Sequence, residues 1–224
     1  MPRTVWFLLA LIGVACAMPD DLRRAAGEAR LAGDTAGAAS LLRSATDRQD
    51  ADTPERRAVA ADLRRELAGL LLASDEAREA ERLYREALAL LEAAPRGNEA
   101  AIINLRTQLA GLCYRQNRLD EAAAGYEAVL ELETRSLGET HPDVLGTMGI
   151  LGGLELKRGR LARAEALFRR QLAGVRQAYG PEKREVTPVL EDLAAVLARS
   201  GRPEAAEILR AEAARIRRKL CDEC

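Results

Sequence analysis

The fold is decided by residues 109–126, which read LAGLCYRQNRLDEAAAGY. The same pattern returns 42 residues later, where residues 151–168 read LGGLELKRGRLARAEALF. Each stretch opens with Leu and two small residues, carries Asn or Gly in its middle, and closes with Ala followed four residues later by an aromatic residue. Self-similarity at a fixed spacing of this size is typical of a repeat architecture.

Other residue types also recur every 42 residues, over five copies of the repeat, and we call each such set of equivalent positions a column. An Ala column recurs at Ala38, Ala80, Ala122, Ala164 and Ala206. A column of large side chains follows at Leu42, Tyr84, Tyr126 and Phe168, and Arg210 breaks it. Turn-forming residues recur at Gly33, Asp75, Asn117, Gly159 and Gly201. Five copies in register without a gap indicate one repeated structural unit.

The columns predict a helix-turn-helix unit. Leu67, Leu70 and Leu71 follow the i, i+3, i+4 spacing of an apolar helical stripe. A Gly, Asp or Asn column tolerates the left-handed backbone that ends a helix. We expect the small residues to let the two helices approach closely and the aromatic residue to fill the remaining space. Because one unit cannot bury its own apolar face, neighbouring units must stack.

Composition supports helices and excludes several classes of protein. Hydrophobic residues make up 48% of the 224 residues, aromatic residues 3% and charged residues 31%. This apolar content is too high for a disordered chain. A net charge of −1 argues against a nucleic-acid-binding protein, and a single His leaves little room for a His-based metal site or catalytic triad.

The quoted motifs resemble the tetratricopeptide repeat, and the 42-residue spacing resembles the subtype found in kinesin light chains. Residues 137–144, LGETHPDV, are similar to that subtype's inter-repeat segment. The resemblance implies an all-α fold, a right-handed superhelical solenoid of antiparallel helix pairs. It also implies a concave groove that holds a partner peptide. The paired Asn residues of the subtype are replaced here, so a kinesin-like cargo preference is not carried over.

The repeat spacing, together with the motifs at the two ends of the sequence, predicts the organisation of the chain. The segments are a signal peptide (1–17), a degenerate repeat or cap (18–56), four repeats (57–98, 99–140, 141–182 and 183–220) and a CxxC tail (221–224).

Residues 1–17 predict export. Arg3 precedes an unbroken apolar run from Val5 to Val14, and Ala15-Cys16-Ala17 fits a signal-peptidase site. We expect cleavage after Ala17 and a periplasmic or secreted location. Acylation of Cys16 as a lipoprotein and a retained membrane anchor are the alternatives.

The remaining cysteines have separate interpretations. Cys113 lies in an apolar helical stretch and is expected to be a small buried hydrophobe. Cys221 and Cys224 could form a disulfide within the tail or bridge to another chain. A thiol redox enzyme is the remote alternative, because Asp222 and Glu223 would raise the pKa of both thiols.

Two local features have structural interpretations. His141 follows Thr140, which is expected to cap a helix whose first turn contains Pro142. Pro188 implies that the first helix of the last repeat begins late, near Thr187.

The last helix is rich in basic residues, which suit its dipole and solubilise a terminal repeat. An anionic partner is the alternative interpretation. These residues are Arg210, Arg215, Arg217, Arg218 and Lys219.

The groove spacing of the family, carried onto the first helices, gives the candidate partner-binding residues. One repeat contributes Asp62, Arg65, Gly69 and Leu72, and the next contributes Asn104, Thr107, Gly111 and Tyr114. Arg115, Lys157 and Arg199 share one column over three repeats, and we expect this basic line to meet carboxylates on the partner. Solvated surface residues are the alternative interpretation.

These observations predict a non-catalytic, exported scaffold that binds a protein or peptide in its groove. Neither a cofactor nor a metal is expected, and the partner is neither a nucleic acid nor a small-molecule substrate. The alternative is a self-assembling structural module that is joined through its end repeats or the terminal CxxC. Such a module would form a homo-oligomer.

Overall fold

A computed structural model describes residues 18–74 and 76–222, the last without its side chain. The expectations for residues 1–17, Asp75 and Cys224 lie outside the described residues. Every regular element in the described part is an α-helix. The helices are α1 (Pro19–Leu31), α2 (Thr35–Arg48), α3 (Pro54–Ala73), α4 (Ala77–Glu92), α5 (Glu99–Arg115), α6 (Leu119–Leu137), α7 (Pro142–Lys157), α8 (Leu161–Tyr179), α9 (Val186–Arg199) and α10 (Pro203–Asp222).

The helices form two compact units that divide at residues 109 and 110, within α5. In the first unit, α1 packs on α2, α2 on α3, and α3 on α4. In the second unit, α6, α7, α8 and α9 each pack on the next helix along the chain. This sequential packing confirms the predicted all-α class of tetratricopeptide-like helix pairs. The handedness of a superhelix stays a prediction.

The turn column ends the first helix of each pair, as predicted. Gly33, Asn117, Gly159 and Gly201 have φ angles of 82°, 59°, 76° and 76°. A positive φ is unfavourable for most L-residues, which is why Gly and Asn recur there. The backbone N–H of the residue directly before the second helix closes each turn; for example, the Arg160 N–H donates to the Glu155 carbonyl at 2.9 Å.

Small residues bring the two helices of a pair together. All five members of the Ala column have no exposed surface. A Cβ at Gly152 would lie 2.8 Å from the Phe168 ring, and one at Gly125 would lie 2.8 Å from the Cβ of Ala110. The predicted close approach and the filling of the space by the aromatic residue are therefore confirmed.

Side chains cap the starts of α2, α3 and α7, and one predicted cap is corrected. His141, and not Thr140, is the N-cap of α7, because its Nδ1 accepts from the Asp143 N–H at 3.3 Å. The α9 helix begins at Val186, one residue before the predicted Thr187. Thr53 caps α3 by accepting from the Arg56 N–H at 3.3 Å, so this helix begins ahead of residue 57.

Two further features bear on the earlier expectations. Cys113 is buried, as predicted, and Cys221 is exposed near the end of α10. Within residues 18–74 and 76–222, none of the helices has the length and apolar character needed to cross a membrane.

Candidate functional site

The basic line predicted from the sequence lies at three helix ends in the second unit. Arg115, Lys157 and Arg199 are the last residues of α5, α7 and α9, and all three are exposed. We call these three residues the cation row. Each stands at the negative end of its helix dipole, which favours a positive charge there.

Side-chain contacts connect successive members of the cation row. The Lys157 ammonium lies over the Tyr114 ring, 4.6 Å from its centroid. One Nη of Arg199 donates to the Leu156 carbonyl at 3.1 Å, next to Lys157 in the chain. These contacts place the ends of α5, α7 and α9 beside one another.

The cation row differs from most other basic residues of this unit in having no carboxylate partner among the described residues. Elsewhere, Arg163 pairs with Glu127, and Arg158 pairs with Asp120 and Glu155. Most basic residues of α10 are paired as well. Arg215 and Lys219 pair with Glu182, Arg217 with Glu191 and Arg210 with Glu207. The interpretation that these residues suit the helix dipole and solubilise the last repeat stays a prediction.

An aromatic hydroxyl lies beneath the first member of the row. A Cβ at Gly111 would lie 3.5 Å from the Tyr126 hydroxyl and 3.9 Å from an Arg115 Nη. Burial raises the pKa of Tyr126, and the charge of Arg115 partly offsets that rise. The phenol therefore stays neutral and can donate or accept a hydrogen bond beside Gly111.

The exposed stripe of α7 carries little side-chain bulk. It consists of Gly146, Ile150, Gly153 and Lys157, and nothing lies within 4 Å of a Cβ placed at either glycine. Ile150 is 50% exposed and was missed among the candidate residues. Its repeat column is otherwise polar or charged, and this contrast is the sequence signal that could have identified it. At Ile150 the stripe offers an apolar contact about two turns before Lys157.

In the first unit, the candidates Asp62 and Arg65 are held within an internal ion-pair cluster. Arg23 of α1 pairs with both Asp62 and Glu66 of α3, and Arg65 donates to Asp62 at 3.0 Å. Burial alone would raise the pKa of Asp62, but hydrogen bonds from Arg65 and Arg23 outweigh it and hold that pKa below 3.8. Hydrogen bonding to Glu66 likewise raises the pKa of Arg23, against the opposing effect of burial.

The remaining candidates of the first unit have different environments. The Thr107 hydroxyl donates to the Ile103 carbonyl at 2.9 Å and is thereby engaged within α5. Asn104 lines a cavity of about 670 Å³ together with Arg65 and Gly69. Arg30 and Gln108 line the same cavity and were not among the candidates. Their side chains have no repeat column of their own type, so the sequence pattern did not select them.

The described residues contain no group of three or more His, Cys, Asp or Glu side chains arranged to hold a metal ion. Cys224 lies outside the described residues, so the disulfide between Cys221 and Cys224 stays a prediction.

Comparison with solved structures supports the fold. BtubC (BKLC) from P. vanneervenii is 22% identical, with a TM-score of 0.69, and the match covers 87% of this chain and 78% of that one. A Podosopora anserina structure, named for kinesin light chain and its nearly identical TPR-like repeats, is 19% identical, with a TM-score of 0.72 and coverage of 90% and 95%. The MamA protein is 10% identical, with a TM-score of 0.66 and coverage of 91% and 94%.

Sequence comparison gives the family. No protein of curated function matches the chain. The family model described as "Tetratricopeptide repeat" matches residues 99–170 and 143–219, which together make up more than half of the chain. The protein belongs to the tetratricopeptide repeat family.

Proposed function

We propose that this protein is a non-catalytic scaffold that binds an acidic segment of a protein partner along the cation row. Tetratricopeptide repeat domains generally act in protein–protein interaction, and the fold is typically non-catalytic. The single observation that carries the proposal is the succession of three exposed cations at adjoining helix ends, none of which has a carboxylate partner among the described residues. These cations are Arg115, Lys157 and Arg199.

Electrostatics favours this assignment. A partner carboxylate that reaches the row breaks no internal ion pair, so it displaces only water and gains a charge-assisted hydrogen bond. The repeat spacing presents the three cations in succession, which suits an extended segment with several acidic side chains. Ile150 and the open backbone at Gly153 supply an apolar contact beside the charges.

Charge reversal of the row tests the proposal. The variant R115E/K157E/R199E is compared with K183E/R184E/R218E, which reverses one Lys and two Arg in the same unit. The control residues are also exposed and have no carboxylate partner among the described residues. Each protein is expressed in its native cells, crosslinked and purified, and bound proteins are quantified by mass spectrometry.

We expect a stoichiometric partner that is lost from the row variant and retained by the control. Equal capture by both variants would contradict the assignment of the row. Crosslinks formed exclusively between copies of this chain would contradict the scaffold and favour the self-assembling module. Circular dichroism spectra of both variants establish that each remains folded.

We also propose that the protein is exported, on the basis of the basic, apolar and small-residue order of residues 1–17. The mass of the N-terminal peptide from native cells tests this. A mature chain that begins at Met18 supports cleavage after Ala17, and one that begins at an acylated Cys16 supports the lipoprotein form. An unprocessed N-terminus in a cytoplasmic fraction would contradict export.

A further inference from the structure

A groove in the second unit opens between the second helices of two successive pairs, α6 and α8, and no residue of the cation row lines it. Its volume is about 550 Å³. Among its lining residues, Leu130 and Leu151 are buried and Leu167 is partly buried, so the base of the groove is apolar. We call it the α6–α8 groove. Its charged lining residues are Glu127, Glu131, Arg135, Arg163 and Arg170.

One aliphatic side chain of the same unit projects into solvent. Ile208 of α10 is 69% exposed. The equivalent positions of the earlier repeats hold small or charged residues, so packing within the repeat does not account for an isoleucine in this column. These residues are Ser40, Arg82, Ala124 and Ala166.

Ile208 belongs to the surface in which the α6–α8 groove opens. Ala166, its equivalent in α8, is exposed and lies within one turn of the groove residues Arg163 and Arg170. Ala124, its equivalent in α6, is also exposed and lies within one turn of Glu127. Because α8 separates α10 from the groove, Ile208 cannot enter the groove of its own chain. The exposed alanines leave room for a neighbouring chain.

The charges around Ile208 and around the groove have opposite signs. Glu204 and Glu212 lie one turn to either side of Ile208, and Glu204 has no basic partner among the described residues. The groove is lined by three Arg and two Glu residues, so its net charge is positive. An isoleucine between two acidic residues therefore complements an apolar groove with a basic excess.

The end of the helix stack is less suited to contact between copies. In α8, which a further helix pair covers, Phe168 and Val175 are buried. The equivalent residues of α10 are Arg210 and Arg217, which are exposed and pair with Glu207 and Glu191. Stacking another copy on α10 would remove these charged groups from water, which is costly.

We infer that two copies of this chain associate face to face, with Ile208 of each copy inserted into the α6–α8 groove of the other. A groove and a side chain that lie beside one another on a single surface can be exchanged about a two-fold axis, so the contact forms twice and the assembly closes as a dimer. The contact is small, so association is expected at micromolar to millimolar concentration. This inference goes beyond the proposed function, because the cation row takes no part in the contact.

Sedimentation equilibrium of the protein purified from its native cells tests the inference. A reducing agent is present throughout, so that a disulfide of Cys221 or Cys224 cannot join two chains. The variant I208S removes the inserted side chain, and R170E reverses a charge of the groove. The matched controls are L31S, which removes an 88% exposed leucine of the first unit, and K183E, which reverses an exposed charge outside the groove.

We expect a reversible equilibrium between monomer and dimer. I208S should raise the dissociation constant by about tenfold or more, because it removes an apolar side chain from each of two contacts. R170E should raise the dissociation constant by a smaller factor, and both controls should leave it unchanged. Circular dichroism spectra establish that each variant remains folded.

Photo-crosslinking identifies the occupant of the groove. A photoreactive phenylalanine derivative replaces Ile208 in copies with normal nitrogen, which are mixed with wild-type copies labelled with heavy nitrogen. Crosslinks from position 208 to labelled peptides of α6 or α8 are expected. Crosslinks in native cells exclusively to a different protein would overturn the inference.

Three results of sedimentation would also overturn it. They are a monomer at every concentration, an I208S variant that associates as tightly as the wild type, and an average mass that rises beyond two chains. The variant R115E/K157E/R199E should still form the dimer, which distinguishes failure of the cation row from failure of this contact.

Discussion

The ammonium of Lys157 lies 4.6 Å from the centroid of the Tyr114 ring, joining the last turns of α5 and α7. Tyr114 is 44% exposed, so the contact lies at the surface. An ammonium group that contacts one face of an aromatic ring can still bind an anion on its other sides. The contact therefore positions one charge of the cation row without neutralising it.

A double-mutant cycle measures this contact. Y114L and K157M are each expected to reduce stability, and the double variant should lose less than the sum of the two. We expect a coupling free energy of about 0.5–1 kcal/mol, the range for an exposed cation–π pair. Chemical denaturation of the four proteins gives the value, and additive effects would contradict the contact.

Two adjacent glycines of α7 should respond in opposite directions to the same substitution. G152A places a Cβ about 2.8 Å from the Phe168 ring and should destabilise the protein by about 1–3 kcal/mol. G153A places it in open space and should stabilise the helix by roughly 0.5–1 kcal/mol. Thermal unfolding of both variants checks the sign, and equal shifts would contradict the described packing.

Substitution of Asn117 tests whether the turn column requires a residue that tolerates a positive φ. Its φ is 59°, a conformation that a residue with a Cβ adopts at a cost of roughly 1–2 kcal/mol. N117A should destabilise the protein by about 1 kcal/mol, whereas N117G should remain close to wild type. Urea denaturation distinguishes the two, and a neutral N117A would exclude the strained turn.

Acid should weaken the ion-pair cluster of the first unit. Because its partners hold the pKa of Asp62 below 3.8, this carboxyl stabilises the fold above that pH. The stabilisation is lost as the pH falls through the lowered value in the folded state. D62N should therefore lower the melting temperature at pH 7 and make little difference in strong acid.

Asp192 should show the opposite sign. Asp192 is exposed, but the desolvation caused by its neighbours, together with the charge of Glu191, raises its pKa above 3.8. Its ionised form therefore disfavours folding at neutral pH, and this penalty disappears as the pH falls through the raised value. D192N should raise the melting temperature at pH 7. A decrease for D192N would contradict the assignment of Asp192, and an unchanged melting temperature for D62N would contradict that of Asp62.

The fold could be predicted because the repeat columns mark positions where the backbone or the helix packing accepts only certain residue types. Gly159 permits the turn between α7 and α8, and Ala164 is fully buried where the two helices meet. Such requirements depend on residues close in sequence, so periodicity identifies them. The N-cap of α7 was predicted wrongly because Thr140 and His141 both offer an acceptor, and the local backbone decides which one is used.

The candidate site could be predicted in part. The column of Arg115, Lys157 and Arg199 was evident from spacing, and the structure places all three at exposed helix ends. The engagement of Asp62 was not evident, because its partner Arg23 lies 39 residues away in α1. The cavity beside it is lined by residues of five helices, which no single repeat pattern contains.

Photo-crosslinking from Tyr114 is the most direct test of the cation row. A photoreactive phenylalanine derivative replaces either Tyr114, beside the row, or Tyr179, a similarly exposed tyrosine at the end of α8. After irradiation of native cells, we expect an acidic segment of a partner to be crosslinked at position 114 and not at position 179. Partner crosslinks of equal yield at both positions, or none at position 114, would contradict the account.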